Sequence, residues 1–394
     1  MKRLICGAAA VLMLAALPGC GSRESANTDD VSAIVATIPP PPGTDPAFYT
    51  MTSAEVAADM IPGWNLGNTL DVCIADRDGD GKVNETPAAG EEVTETLWGN
   101  VMTSPELFTE LKAQGIKSVR IPVTWRDHTG EAPTYTIDPQ WMARVHEVAD
   151  YALDAGLYVI INVHHDGGGD PRFGAWIRDA SKDFDAVEER YTAVWTQISD
   201  SFADYSGKLI FESMNEVGFD DMNKRDAYET LNKLNQTFVD VVRNGPGNDP
   251  SRHLLIAGYW TDTEMTCSDM FKMPEDPAGR CMVSVHYYTP WEFCTTSRQR
   301  TWGTDREVAR MKSDISKLSK TFVSAGVPVV IGEYGMGAGN DPDSRVKFAG
   351  TLTELCRAQG IPCFFWDNGE ELDRTDFTWT TEGLLQAITG AADE

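Results

Sequence analysis

Short apolar runs recur along the chain, and most are separated by stretches in which apolar residues fall three and four apart. The runs are "IPGWNL" (61–66), "KSVRIPV" (117–123), "YVIINV" (158–163), "KLIFESM" (208–214), "HLLIAGY" (253–259), "MVSVHYY" (282–288), "VPVVIGE" (327–333) and "IPCFFWD" (361–367). Near-continuous apolarity over that length predicts strands buried on both faces, as in a parallel sheet. The intervening "WMARVHEVADYALDAG" has helical spacing and is expected to stop at Gly156; "VWTQISDSFADYSG" and "RVKFAGTLTELCRAQG" are expected to end at their glycines in the same way. Thr52 followed by Glu55 predicts a capping box that opens a short helix. Eight such strands alternating with helices predict an α/β protein, and the number favours a closed (β/α)8 barrel over a doubly wound sheet. No G-x-G-x-x-G follows the first strand and no phosphate-binding loop is present, which weakens a nucleotide-binding reading.

The N-terminus departs from this rhythm. Lys2 and Arg3 precede the short apolar stretch "LICGAAAVLMLAALPG", which ends at Cys20. Residues 1–19 read as an export signal rather than a spanning helix. Small residues before Cys20 resemble a bacterial lipobox, so Cys20 is expected to carry lipid and the protein to be exported and membrane-anchored, or else secreted. Residues 20–45 are polar with four consecutive prolines and read as a tether. Residues 46–394 form the expected single (β/α)8 domain.

Composition narrows the partners. In 394 residues, 42% are apolar and 24% charged, as in an ordinary globular protein. A formal charge of −27 argues against nucleic acid and against anionic lipid as a binding surface, but not against a neutral sugar. Eleven tryptophans supply flat apolar faces for stacking. Six cysteines follow Cys20, at 73, 267, 281, 294, 356 and 363. Six cysteines allow 15 pairings; Cys267 with Cys281 and Cys356 with Cys363 are close in sequence, and either pair could close a short disulfide loop.

Polar residues collect where the predicted strands end, which in a barrel is the catalytic rim. They are Asn65 and Asn68, Arg120, His164 and His165, Asn215 and Glu216, His286 and Tyr288, Glu333, and Trp366, Asp367 and Asn368. Desolvating so many polar groups in one place is costly unless they act together. Glu216 and Glu333 come from the fourth and seventh strands and face each other across the mouth. Such a pair suits glycosidic cleavage, one carboxyl giving a proton to the leaving oxygen and the other attacking carbon. Arg120 is the counter-charge for Glu333, Asn215 a ligand for a sugar 2-hydroxyl, and a rim tryptophan a face for the ring.

"GWNLGNTLD", "VRIPVTW", "NVHHD", "MNEV", "VHYYTP", "IGEYG" and "WDNG" occur together and in order. In this the chain resembles glycoside hydrolase family 5, most closely its endoglucanase, xyloglucanase and lichenase branch, over roughly residues 50–390. The resemblance implies Glu216 as general acid/base and Glu333 as nucleophile of a retaining, endo-acting β-1,4-glucanase. It implies Arg120, His164, Asn215, His286, Tyr288 and Trp366 as the rest of the active-site set, with Asn65, His165 and Asn368 binding sugar. It also implies that catalysis needs no cofactor. The expected partner is a β-glucan polysaccharide or oligosaccharide, and the protein is expected to be a monomer. Val217 after Glu216 and Asp166 after the two histidines depart from the family's usual Pro and Glu. Xyloglucan, mixed-linkage glucan, mannan and xylan remain alternatives, as does a non-catalytic glycan-binding lipoprotein. A serine hydrolase lacks its G-x-S-x-G elbow.

After the first strand, "DRDGDGKVNET" places Asp76, Asp78 and Asp80 at alternate positions before Gly81, with the Lys82 backbone carbonyl next in line. This opens like a calcium loop, although Pro87 stands where a bidentate Glu closes that motif. A structural Ca2+ is the corresponding expectation.

Overall fold

The strands β1 (Gly63–Leu66), β2 (Ser118–Ile121), β3 (Tyr158–Asn162), β4 (Leu209–Glu212), β5 (Leu254–Asp262), β6 (Cys281–Tyr287), β7 (Val329–Tyr334) and β8 (Cys363–Asp367) pair in chain order, and β8 returns to β1. Every ladder is parallel, with Gly63 opposite both Ser118 and Phe364 at the closure. This is the closed (β/α)8 barrel expected from the eight apolar runs. The computed structural model describes residues 50–76, 86–88, 91–167 and 174–390. Cys20, the tether, Asp78, Asp80 and Lys82 lie outside them.

A short helix, α1 (Ser53–Asp59), precedes the barrel and carries the expected capping box between Thr52 and Glu55. The outer helices are α2 (Pro105–Ala113), α3 (Pro139–Asp154), α4 (Phe184–Phe202), α5 (Lys224–Arg243), α6 (Asp305–Thr321), α7 (Pro342–Arg357) and α8 (Leu384–Thr389). Between β5 and β6 only a single helical turn, Thr263–Thr266, takes the helix's place.

Strand side chains alternate between the helix layer and the barrel axis. Ile160, Ile210, Leu255, Met282, Val330 and Phe364 form one apolar cluster inside the barrel, with Val56, Ala57 and Met60 of α1 packed against it. The helix thereby plugs the N-terminal end. At Gly63 a Cβ would lie 2.5 Å from the Phe364 ring, so glycine is what lets that ring fill the axis. Two residues further along their strands, the inward positions turn polar: Asn65, Arg120, Asn162, Glu212 and Ser284 are all fully buried.

Two local expectations fail. Helix α4 ends at Phe202 rather than at Gly207. The Arg252 guanidinium donates to the carbonyls of Phe202 (2.9 Å) and Leu209 (2.9 Å), so a distant arginine satisfies the helix end. The proposed disulfide loops do not form either, since all six described cysteines are free. The Cys281 thiol instead donates to the Asp276 carboxylate at 3.3 Å.

Candidate active site

The site is built on Arg120, which has every guanidinium nitrogen engaged. Its Nε donates to Glu212 Oε2 (2.6 Å), one terminal nitrogen to Glu333 Oε1 (2.7 Å) and Asn65 Oδ1 (3.1 Å), and the other to Asn215 Oδ1 (2.9 Å). Burial opposes the charge on Arg120, but Glu212 and Glu333 outweigh it and raise its pKa. The planar fork thus fixes two carboxylates and two amides at once, which a lysine cannot do. Glu212 is anchored in turn by Ser284 Oγ (2.7 Å) and Asn162 Nδ2 (3.0 Å).

Glu333 reaches the mouth because β7 breaks the alternation. Val285 pairs with Ile331, but the next residue, His286, pairs with Glu333, so Gly332 is left over as a bulge. Such an extra residue re-aims the side chain that follows it. Tyr288 Oη then donates to Glu333 Oε2 at 3.0 Å. Burial, followed by the Glu333 and Glu216 charges, holds the Tyr288 phenol well above its usual range, so it remains a donor.

Glu216 sits on the loop after β4 with φ 45°, a left-handed conformation that costs a non-glycine residue about 1–3 kcal/mol. Its side chain is 36% exposed, against 7% for Glu333. His286 Nδ1 lies 2.8 Å from Glu216 Oε1 and 3.6 Å from Glu333 Oε2. One oxygen of each glutamate and a His286 nitrogen fall within 4.8 Å of one another. The open carboxyl and the clamped one therefore converge on one small volume.

Rings continue the wall. His164 stacks on Trp366 (centroids 5.8 Å, planes 8° apart), meets His165 edge-on at 4.5 Å, and His165 is 5.5 Å from Trp98. Burial, then His165, Arg120 and His286, push His164 well below the usual histidine pKa. Trp366, Tyr288, Asn68 and Asn368 are half-buried on the rim. Asn100 Nδ2 joins two of these loops by donating to the carbonyls of Asn68 (2.7 Å) and Asn368 (3.1 Å).

Asn65 is a correction. It is fully buried, and its amide donates to the carbonyls of Gly332 (2.9 Å) and Phe364 (3.1 Å). It therefore steadies Arg120 from beneath instead of meeting a sugar. Asp166 is likewise structural, accepting from the Trp125 N–H (2.7 Å) and Trp176 Nε1 (2.6 Å). The sequence reading passed over Glu212, Asn162, Ser284, Trp98 and Asn100; the inward parity of the first three was the available signal.

Among the described residues, two groups have ligand atoms close enough for a cation: Glu216 with His286 and Glu333, and Asp71 with His164 and His165. The fixed Arg120 charge is paired with Glu333 and bears on His164, so it opposes a cation at either place. Asp76 is half-buried at the edge of the described residues and belongs to neither group.

A sequence profile described as "Cellulase (glycosyl hydrolase family 5)" matches residues 80–372. Endoglucanase A of Paenibacillus barcinonensis is 34% identical over 378 residues, covering 86% of this chain and 90% of that protein. A broad-specificity endoglucanase of subfamily 4 from Ruminococcus champanellensis, solved with cellotriose, superposes with a TM-score of 0.77 at 31% identity, covering 86% and 98% of the two chains. A family 5 xyloglucanase from Paenibacillus pabuli, solved with ligand, gives 0.76 at 34% identity, covering 85% and 99%.

Proposed function

The chain belongs to glycoside hydrolase family 5, and from that premise we propose that Glu216 and Glu333 carry out double displacement on a β-1,4-glucan. The family is retaining and endo-acting and needs no cofactor for catalysis, and the chain is an endo-β-1,4-glucanase of that kind. The observation that carries the residue assignment is the approach of a Glu216 and a Glu333 oxygen to within 4.8 Å. Retaining enzymes hold their carboxyl groups about 5–5.5 Å apart, whereas inverting enzymes leave about 6.5–9.5 Å for a water.

Glu333 is the nucleophile. Arg120 and Tyr288 each hold one of its oxygens, which orients the carboxylate and stabilises its charge before attack. Glu216 is the acid/base. Its greater exposure suits a group that first protonates the leaving oxygen and then takes a proton from incoming water. His286 Nδ1 is hydrogen-bonded to Glu216 Oε1 at 2.8 Å, so the acid/base returns to one position between the two steps. Trp366 and His164 form the wall for the sugar in the cleaved subsite, and Asn215, fixed by Arg120, meets its 2-hydroxyl. Asn368, Asn68, His165 and Trp98 extend contact along the glycone side.

Unbranched soluble β-glucan is the proposed preferred substrate. Xyloglucan is the second reading, favoured by the similarity to the Paenibacillus pabuli xyloglucanase. Attachment to a membrane through lipidated Cys20 and a Pro-rich tether, and a structural Ca2+ at Asp76, Asp78, Asp80 and the Lys82 carbonyl, are further proposals. They rest on the sequence patterns alone. Metabolic labelling with a fatty-acid analogue tests the first, and calcium titration followed by thermal unfolding tests the second.

The experiment for the catalytic roles is kinetic. Glu333→Gln is expected to abolish hydrolysis of β-1,4-glucan while cello-oligosaccharide binding survives in calorimetry. Turnover near the wild-type rate in that variant rejects the assignment.

A further inference from the structure

We propose that Asn162 is a positioning residue that sets the tautomer of His164, so that the Nε2–H of His164 faces the cleft and Nδ1 faces the protein. Asn162 ends β3 on the inward face and is fully buried. Its orientation is determined from two sides. The Val123 backbone N–H must donate, and it donates to Asn162 Oδ1 at 3.1 Å. The Glu212 oxygen that receives Arg120 Nε also receives Asn162 Nδ2, at 3.0 Å. A flipped amide would place a donor against the Val123 N–H and an acceptor against Glu212, so both contacts select the same rotamer.

An amide nitrogen has two hydrogens. One goes to Glu212, and the other is directed at His164 Nδ1, 3.2 Å away. Nδ1 must then accept. The ring hydrogen of a neutral imidazole follows the partner of the other nitrogen, so it sits on Nε2. The result is a chain of fixed polarity, from the Val123 N–H through Asn162 to His164. It ends in a single N–H donor in the plane of a ring stacked parallel to Trp366. An acceptor oxygen, such as a sugar hydroxyl, is the ligand atom this end recognises. The inference rests on the glycan-binding reading only for that ligand; the tautomer itself is a property of the free protein. Glu212 thereby serves two catalytic-site groups, holding Arg120 directly and His164 through Asn162.

The test is an imidazole-detected long-range 15N–1H spectrum of the full chain, which contains six histidines, with His164→Gln used to assign the signal. The expected result is a bare Nδ1 and a protonated Nε2 at His164 from pH 5 to pH 8. A protonated Nδ1 in the wild type overturns the proposal. Asn162→Asp replaces the donor by an acceptor at nearly constant shape. It is expected to move the proton to Nδ1 and to lower kcat/KM at least about tenfold, the scale set by losing and reversing a buried hydrogen bond. Should that substitution disturb folding, Asn162→Ala is expected to leave His164 as a mixture of tautomers. If both variants keep the Nε2–H form of the wild type, Asn162 does not position His164. Failure of every glycan to be hydrolysed would count against the functional reading and leave the tautomer result standing.

Discussion

Glu333 faces His286 across the β6–β7 ladder only because Gly332 is skipped in the pairing. Without that slip, strand alternation would turn the Glu333 carboxylate toward the helices. A Cβ at Gly332 would lie 3.0 Å from Ser284 Oγ, 3.3 Å from His286 Nε2 and 3.5 Å from Glu212 Oε1. Gly332→Ala is therefore expected to displace His286 and Ser284, lower kcat more than about tenfold and cost about 1–3 kcal/mol of stability. Steady-state kinetics and denaturant unfolding check both.

Arg120→Lys keeps the charge and loses the fork. A single ammonium cannot reach Glu212, Glu333, Asn65 and Asn215 together. Glu212 and Glu333 would compete for the one ammonium, and whichever it fails to reach stays buried without direct contact to a counter-ion, a loss of up to about 3–5 kcal/mol by analogy with other broken buried pairs. The variant is expected to unfold at markedly lower denaturant and to show kcat reduced at least about 100-fold, the scale of removing one preorganised charge partner.

The barrel was legible because buried parallel strands must be apolar on both faces, and all eight runs became strands. The rim was legible because polar residues ending such runs have few other reasons to be there. What was hidden depends on pairs distant in sequence. Helix α4 stops where Arg252 takes its carbonyls, fifty positions away. Glu212 reads as one acid inside an apolar run, and only the partners Arg120, Asn162 and Ser284 reveal its role. Asn65 looked like a rim residue, yet its register opposite Arg120 puts it beneath the floor of the site.

Asn100 ties the loops bearing Asn68 and Asn368 without touching either catalytic glutamate. Asn100→Ala is expected to raise KM for cello-oligosaccharides about fivefold, the value of roughly one hydrogen bond, and to leave kcat within about twofold. A kinetic comparison on cellotetraose and longer chains checks the split.

Asp71 offers a pH test. Burial raises its carboxyl from 3.8 to about 6, against the hydrogen bonds from backbone N–H groups, Thr69 first. The folded protein thus binds this proton more tightly than the unfolded chain. Its stabilising contribution is complete below about pH 3.8 and is lost as pH rises toward 6. Asp71→Asn removes that loss. Relative to wild type, the variant is expected to gain about 2.4 kcal/mol between pH 4 and pH 7, at 1.36 kcal/mol per pKa unit. Parallel unfolding curves at both pH values measure it.

Trapping the covalent intermediate tests the central claim most directly. The protein would be reacted with a 2-deoxy-2-fluoro cellobioside bearing an activated leaving group, digested and sequenced by mass spectrometry. The predicted result is one glycosyl adduct, on Glu333, formed with loss of activity. An adduct on Glu216 or another residue, or hydrolysis with inversion at the anomeric carbon and no adduct, would contradict it.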